Sequence, residues 1–188
     1  MNPSCAETTQ RFLALLDTLE LPSLGPTPRA SRWPLVTLNS HIDKLCNDAK
    51  LPIGTQQLIR AVTLLWHDYL DESHSLSQDI STADGSLIHG IMHRREPDYA
   101  NAKYWFQRAG THAAFPSIGN DVQTLLQTSV NVNFIPRLFK SGRWSPNGFV
   151  DLCEEFASDP LTPEYNLLQQ IQRIETQALL QDFCRNPR

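Results

Sequence analysis

Apolar residues recur at three- and four-residue intervals along nearly the whole chain, the spacing of one face of an α-helix. Phe12, Leu15, Leu16 and Leu19 form the first such stripe. Pro22, Pro26, Pro28 and Pro34 then exclude a regular element and predict an irregular connector over about 21–34. Asn39 or Ser40 is placed to cap a helix burying Ile42, Leu45 and Cys46, which Pro52 and Gly54 end. Thr55 opens the longest periodic run, with Leu58, Val62, Leu65, Tyr69 and Leu76 on one stripe through about Gln78. Ala83 to Gly85 reads as a turn, Ser86 to Arg95 as a helix, and Asp98 as the cap of another helix running to Ala109. Asn120 or Asp121 starts a helix with Val122, Leu125 and Leu126. Asn131 to Arg137 has β-branched residues and reads as extended, followed by helices over Pro146–Ala157 and Pro163–Cys184. Sustained two-residue alternation is missing throughout, which argues against a sheet-based core. The pattern predicts an all-α fold, a compact bundle of about six or seven helices, with 1–188 as a single domain.

Composition narrows the class. A chain of 188 residues with 40% hydrophobic and 19% charged residues is long enough for one substantial core and has the make-up of a globular protein. A formal net charge of −4 argues against a nucleic-acid partner, which calls for a basic face. The longest apolar run falls short of a bilayer span, and residues 1–20 lack the pattern of a secretory signal, so no membrane partner is expected. Cys5, Cys46, Cys153 and Cys184 are widely spaced and read as reduced thiols, consistent with a cytoplasmic location.

Gly90, Ala102, Phe106 and Ala109, followed by Pro116, fall at small-and-aromatic spacing, and Asp98-Tyr99 leads into Trp105-Phe106. On these residues the segment from about 85 to 116 resembles a single tetratricopeptide or Sel1-like helical hairpin. The resemblance implies close helix packing at the small residues and, as a function, a protein-interaction adaptor. A second copy at the repeat period is missing, so the hairpin is expected inside a larger domain rather than in an array. The stretch from His67 to Phe106 is also similar to segments of bacterial and fungal proteins without an assigned activity, which implies no reaction.

The chemistry-bearing residues concentrate between His67 and Tyr104. If the run through Gln78 is one helix, His67, Asp71, His74 and Gln78 form a polar stripe opposite the apolar one. His89 and His93 lie one turn apart on the next helix, followed by Arg94, Arg95, Glu96, Asp98, Asn101 and Tyr104. Two helices joined by a short turn pack antiparallel, and the two stripes are then expected to face each other.

Three chemistries follow. In acid–base catalysis, Asp71 orients His67 or His74, His93 moves a proton, and Tyr104 serves as an acid or oxyanion donor. Arg94, Arg95 and Asn101 then hold a small anionic molecule. In a metal site, His89 and His93 offer two nitrogens on one helix face and His67 and His74 complete the shell of a divalent transition metal. The Glu of H-E-x-x-H is missing, so no metalloprotease motif is present. The third is the adaptor, with a protein partner. Each has a plainer counterpart: a solvated face for His67 and His74, packing roles for His89 and His93, and a local ion-pair network of Arg94, Arg95, Glu96 and Asp98.

Overall fold

The computed structural model describes residues 4–127 and 134–188. Among them it is all-α, with ten helices and one two-residue-per-strand hairpin. In chain order they are α1 (Cys5–Leu13), closed by a 3-10 turn, α2 (Leu35–Ala49), α3 (Ile53–Trp66), α4 (Leu70–Ser77), α5 (Ala83–Arg95), α6 (Tyr99–Ala109), α7 (Phe115–Gln127) and α8 (Ile135–Leu138). The hairpin of β1 (Phe139–Lys140) and β2 (Arg143–Trp144) leads to α9 (Pro146–Phe156) and the long α10 (Pro163–Arg185). No helix among the described residues is long and apolar enough to cross a membrane.

The helix count exceeds the expected six or seven chiefly because the run from Thr55 to Gln78 is two helices. Asp68 adopts a left-handed backbone, φ 62°, a conformation that Asp tolerates better than most residues. The Asp68 N–H bonds to the Leu65 carbonyl and the Tyr69 N–H to the Leu64 carbonyl, which closes α3 and starts the chain in a new direction. Periodicity alone carries no signal for such a break. Other boundaries shift too. Pro34 and Pro52 immediately precede α2 and α3, so Gly54 lies inside α3 rather than ending a segment. Thr82 caps α5 through the Gly85 N–H, which takes Ala83–Gly85 into the helix. Helix α7 begins at Phe115, not at Asn120 or Asp121. Residues 131–133 of the expected extended stretch lie outside the described residues, while Ile135–Leu138 is helical.

Helix α5 is the centre of the fold: every residue from Asp84 to Arg95 is buried. It packs against α3, α4 and α6. A Cβ at Gly90 would stand only 3.1 Å from the Phe106 ring and 3.3 Å from the Ala102 carbonyl, so the close α5–α6 contact requires the missing side chain. A helix carrying two histidines and two arginines is costly to bury all round unless its charges find partners. Arg94 meets Glu175 of α10 through two hydrogen bonds, the shorter 2.6 Å, and lies over the Phe149 ring. Arg95 bonds to Asp68 at 2.7 Å and to the Leu65 carbonyl. Arg29, from the Pro-rich connector, takes the other Asp68 oxygen at 2.8 Å and reaches the Trp66 carbonyl.

Breaking a buried pair strands a charge, whereas replacing both members by apolar groups does not. Glu175→Gln or Arg94→Met alone should therefore cost about 3–5 kcal/mol, and the double change Arg94→Met/Glu175→Leu distinctly less. Urea unfolding followed by circular dichroism measures both; equal losses in the singles and the double would show that the pair is not the cause.

Candidate metal centre

Helix α4 carries His74 in its last turn, and α5 carries His89 and His93 at i and i+4. The three imidazoles meet. Ring centroids are 4.8 Å apart for His74–His89, 5.2 Å for His74–His93 and 4.7 Å for His89–His93. Each offers one nitrogen, and these nitrogens all lie within 4.8 Å of one another. No other group of three histidine, cysteine or acidic side chains meets that spacing among the described residues. Tetrahedral ligation at about 2.0–2.1 Å sets imidazole nitrogens about 3.4 Å apart. The widest separation therefore has to close by no more than roughly 1.4 Å on loading.

Helix α6 supplies the surroundings. Asn101 and Trp105, also at i and i+4, face His93 and His89 in turn. The Asn101 amide lies 3.1 Å from His93 Nε2, and Trp105 stacks on His89 with centroids 4.0 Å apart and planes 13° from parallel. Glu96, one turn beyond His93, approaches its Nδ1 at 3.4 Å. A carboxylate on Nδ1 fixes the tautomer whose Nε2 carries the lone pair, and the Asn101 amide now against Nε2 has to turn away before that nitrogen ligates. His89 differs: its Nδ1 is buried without a hydrogen-bond partner. His74 is half-buried and makes no ring hydrogen bond among the described residues. One helical turn away along both α4 and α5, a recess of about 410 Å³ opens, lined by Arg32, Tyr69, Asp71, Glu72 and Glu96.

Comparisons with family models, curated proteins and solved structures find no match. What the site does has to be read from its own geometry.

Several expected members are elsewhere. His67 caps α3 on the far side of the Asp68 break, fully buried, so its solvated-face reading fails as well. Its Nδ1 accepts from the Trp33 N–H at 3.3 Å, so its Nε2 carries the proton and donates to the Leu15 carbonyl at 2.9 Å. Neither nitrogen is left for a metal or a substrate proton. Asp71 is exposed and bonds to no histidine among the described residues. Tyr104 is 51% exposed and touches Trp105 and Arg108 rather than an imidazole. Arg94 and Arg95 are buried in the pairs described above, with Glu175 and Asp68 rather than Glu96 and Asp98, and cannot hold an anionic substrate. Asn101 is at the site, but on His93.

Sequence reasoning overlooked Trp105 and Glu96 as partners of the histidines, although spacing marks both: Trp105 follows Asn101 by four residues and Glu96 follows His93 by three. It also overlooked Glu175, whose signal was a lone carboxylate on the apolar stripe of α10 between Ile171 and Ala178.

Burial, reinforced by the neighbouring His93 and His74, pushes His89 down to about 4. Burial also lowers His93, against the opposing pull of Glu96, and lowers His67. These rings are neutral at pH 7, the form that ligates metal. Because the unfolded chain binds more protons between pH 6.5 and 4, stability falls as pH drops through that window. The His89 shift alone corresponds to roughly 3 kcal/mol across it. Asp68 and Asp84 are held below the usual carboxylate range, so their loss comes only at lower pH. The metal-free protein should show a lower Tm at pH 5 than at pH 7, and His89→Gln should flatten that dependence; an unchanged slope would contradict the desolvated ring.

Proposed function

We propose that the chain holds one divalent transition metal ion on His74, His89 and His93 and uses it on a small molecule, as a metal-dependent enzyme or ligand-binding protein. The observation that carries this reading is the buried, partnerless Nδ1 of His89 among two further imidazoles. Leaving such a group unsatisfied costs about 1–3 kcal/mol, and a metal ion bound at that nitrogen removes the cost. Three imidazoles suit zinc, copper, nickel or iron. A metal ion held by three protein ligands supplies a Lewis acid with a position open to water or substrate.

Glu96 and Asn101 position His93, and Trp105 keeps His89 in place and water away from it. With Arg94 and Arg95 committed to the interior, attraction for an anionic group comes from the metal ion rather than from guanidinium forks. Four unpaired cysteines fit a reducing compartment such as the cytoplasm. The tetratricopeptide-like adaptor reading has less support: the large exposed apolar side chains Leu19, Val36, Ile53 and Leu161 are scattered over separate segments.

The test is calorimetric titration of chelator-treated protein with Zn²⁺ and Co²⁺ at pH 7.5. One ion per chain is expected, with the intense visible bands of tetrahedral cobalt. Losing an outer-shell partner typically costs about 10–100-fold in affinity, so Glu96→Gln should fall in that range and His93→Ala or His89→Ala should exceed it. Helical circular dichroism should survive. Absence of saturable binding, or unchanged affinity in His93→Ala, would defeat the reading.

A further inference from the structure

A second feature, lined by none of the three histidines, lies around the β1–β2 hairpin. Two recesses, about 670 and 560 Å³, open on either side of Trp144 and share it and Pro146. Both fall within the range of small-molecule sites. The larger is walled by His112, Phe115, Phe139, Arg143 and Trp144, the smaller by Phe106, Lys140, Trp144 and Asn147.

Three observations converge. First, the larger recess presents several aromatic faces, which favour a flat apolar ligand body. Second, no Asp or Glu lines either recess, while Arg143 and Lys140 do, and neither cation enters an ion pair among the described residues. In a protein of net charge −4, a carboxylate-free recess carrying unpaired cations favours an anion. Third, two buried polar atoms lack partners, Nε1 of Trp144, which both recesses share, and Oδ1 of Asn147, in the smaller. A buried indole N–H normally finds an acceptor, and buried polar atoms left alone mark a place where a partner is missing.

We infer that the Trp144 recess is a binding site for a small planar aromatic anion, such as an aromatic carboxylate. The ring lies among Phe115, Phe139 and Trp144, and the carboxylate is drawn by Arg143. The inference is independent of the histidine cluster, since His74, His89 and His93 are not among the residues that line the recess.

The experiment uses 2-naphthoate and its uncharged analogue 2-naphthamide, titrated calorimetrically into the full chain with chelator present. One naphthoate per chain should bind, and more tightly than the amide. Arg143→Gln changes an exposed side chain and so leaves the fold intact. It should weaken naphthoate at least about tenfold, the loss of one charge-assisted contact, and erase the preference for the acid. His93→Ala should bind naphthoate as the parent does. No saturable binding, equal binding of acid and amide, or indifference to Arg143→Gln would each overturn the inference.

Discussion

A negative charge at Asp68 sits in the interior of this protein, and the neighbourhood of the histidines is built around its neutralisation. Burial alone would raise the pKa of this carboxyl group. Arg95 and Arg29 outweigh that effect and hold it below its usual range. Arg95 comes from the end of α5 and Arg29 from the Pro-rich connector, so one carboxylate fastens three segments at the break between α3 and α4. The left-handed backbone at Asp68 makes that break. The break turns α4 so that His74 comes up against His89 and His93, and leaves His67 behind in the core. The position of the cluster is thus a consequence of how a buried charge is satisfied.

The same reasoning separates polar groups that stabilise from those that wait for a partner. Asp68, Arg94, Arg95, Glu175 and His67 are buried and meet charge-assisted or backbone hydrogen-bond partners, although the Nε atoms of Arg94 and Arg95 make none among the described residues. Their burial is explained by the fold. His89 is as well buried, yet one of its ring nitrogens bonds to nothing, and its neighbours are two more imidazoles and an indole. The meeting of three imidazoles, rather than the missing bond alone, distinguishes the candidate site from the ion-pair network beside it.

The sequence made the all-α class legible, because 3.6-residue periodicity is a local property that most of the helices share. It also marked His74, His89 and His93, since polar residues at i and i+4 share a face wherever the helix goes. His67 was misplaced because its distance of seven residues from His74 matters only if one helix spans both, and an αL aspartate intervened. Arg94 and Arg95 were misread for another reason. A cation beside a histidine pair looks like an anion-binding fork until its partner is known, and the partners Glu175 and Asp68 lie 81 and 27 residues away. Long-range pairing of buried charges leaves only a faint trace in one sequence, here an isolated glutamate in an apolar stripe.

These assignments together constrain how the histidine cluster can meet a ligand. Its nearest recess carries Asp71, Glu72 and Glu96 against the single guanidinium of Arg32, which is itself held over the Tyr69 ring. The imidazoles that burial depresses, His89 and His93, contribute no charge at neutral pH. Without a metal ion the local field repels anions; with one, two positive charges stand one helical turn from an acidic recess. On the proposed reading, affinity for an anionic group at this site is conditional on the ion, and the ion also ties the short α4 to the buried α5. Metal occupancy would then govern both the electrostatics of the recess and the rigidity of its wall, because the same three rings serve both.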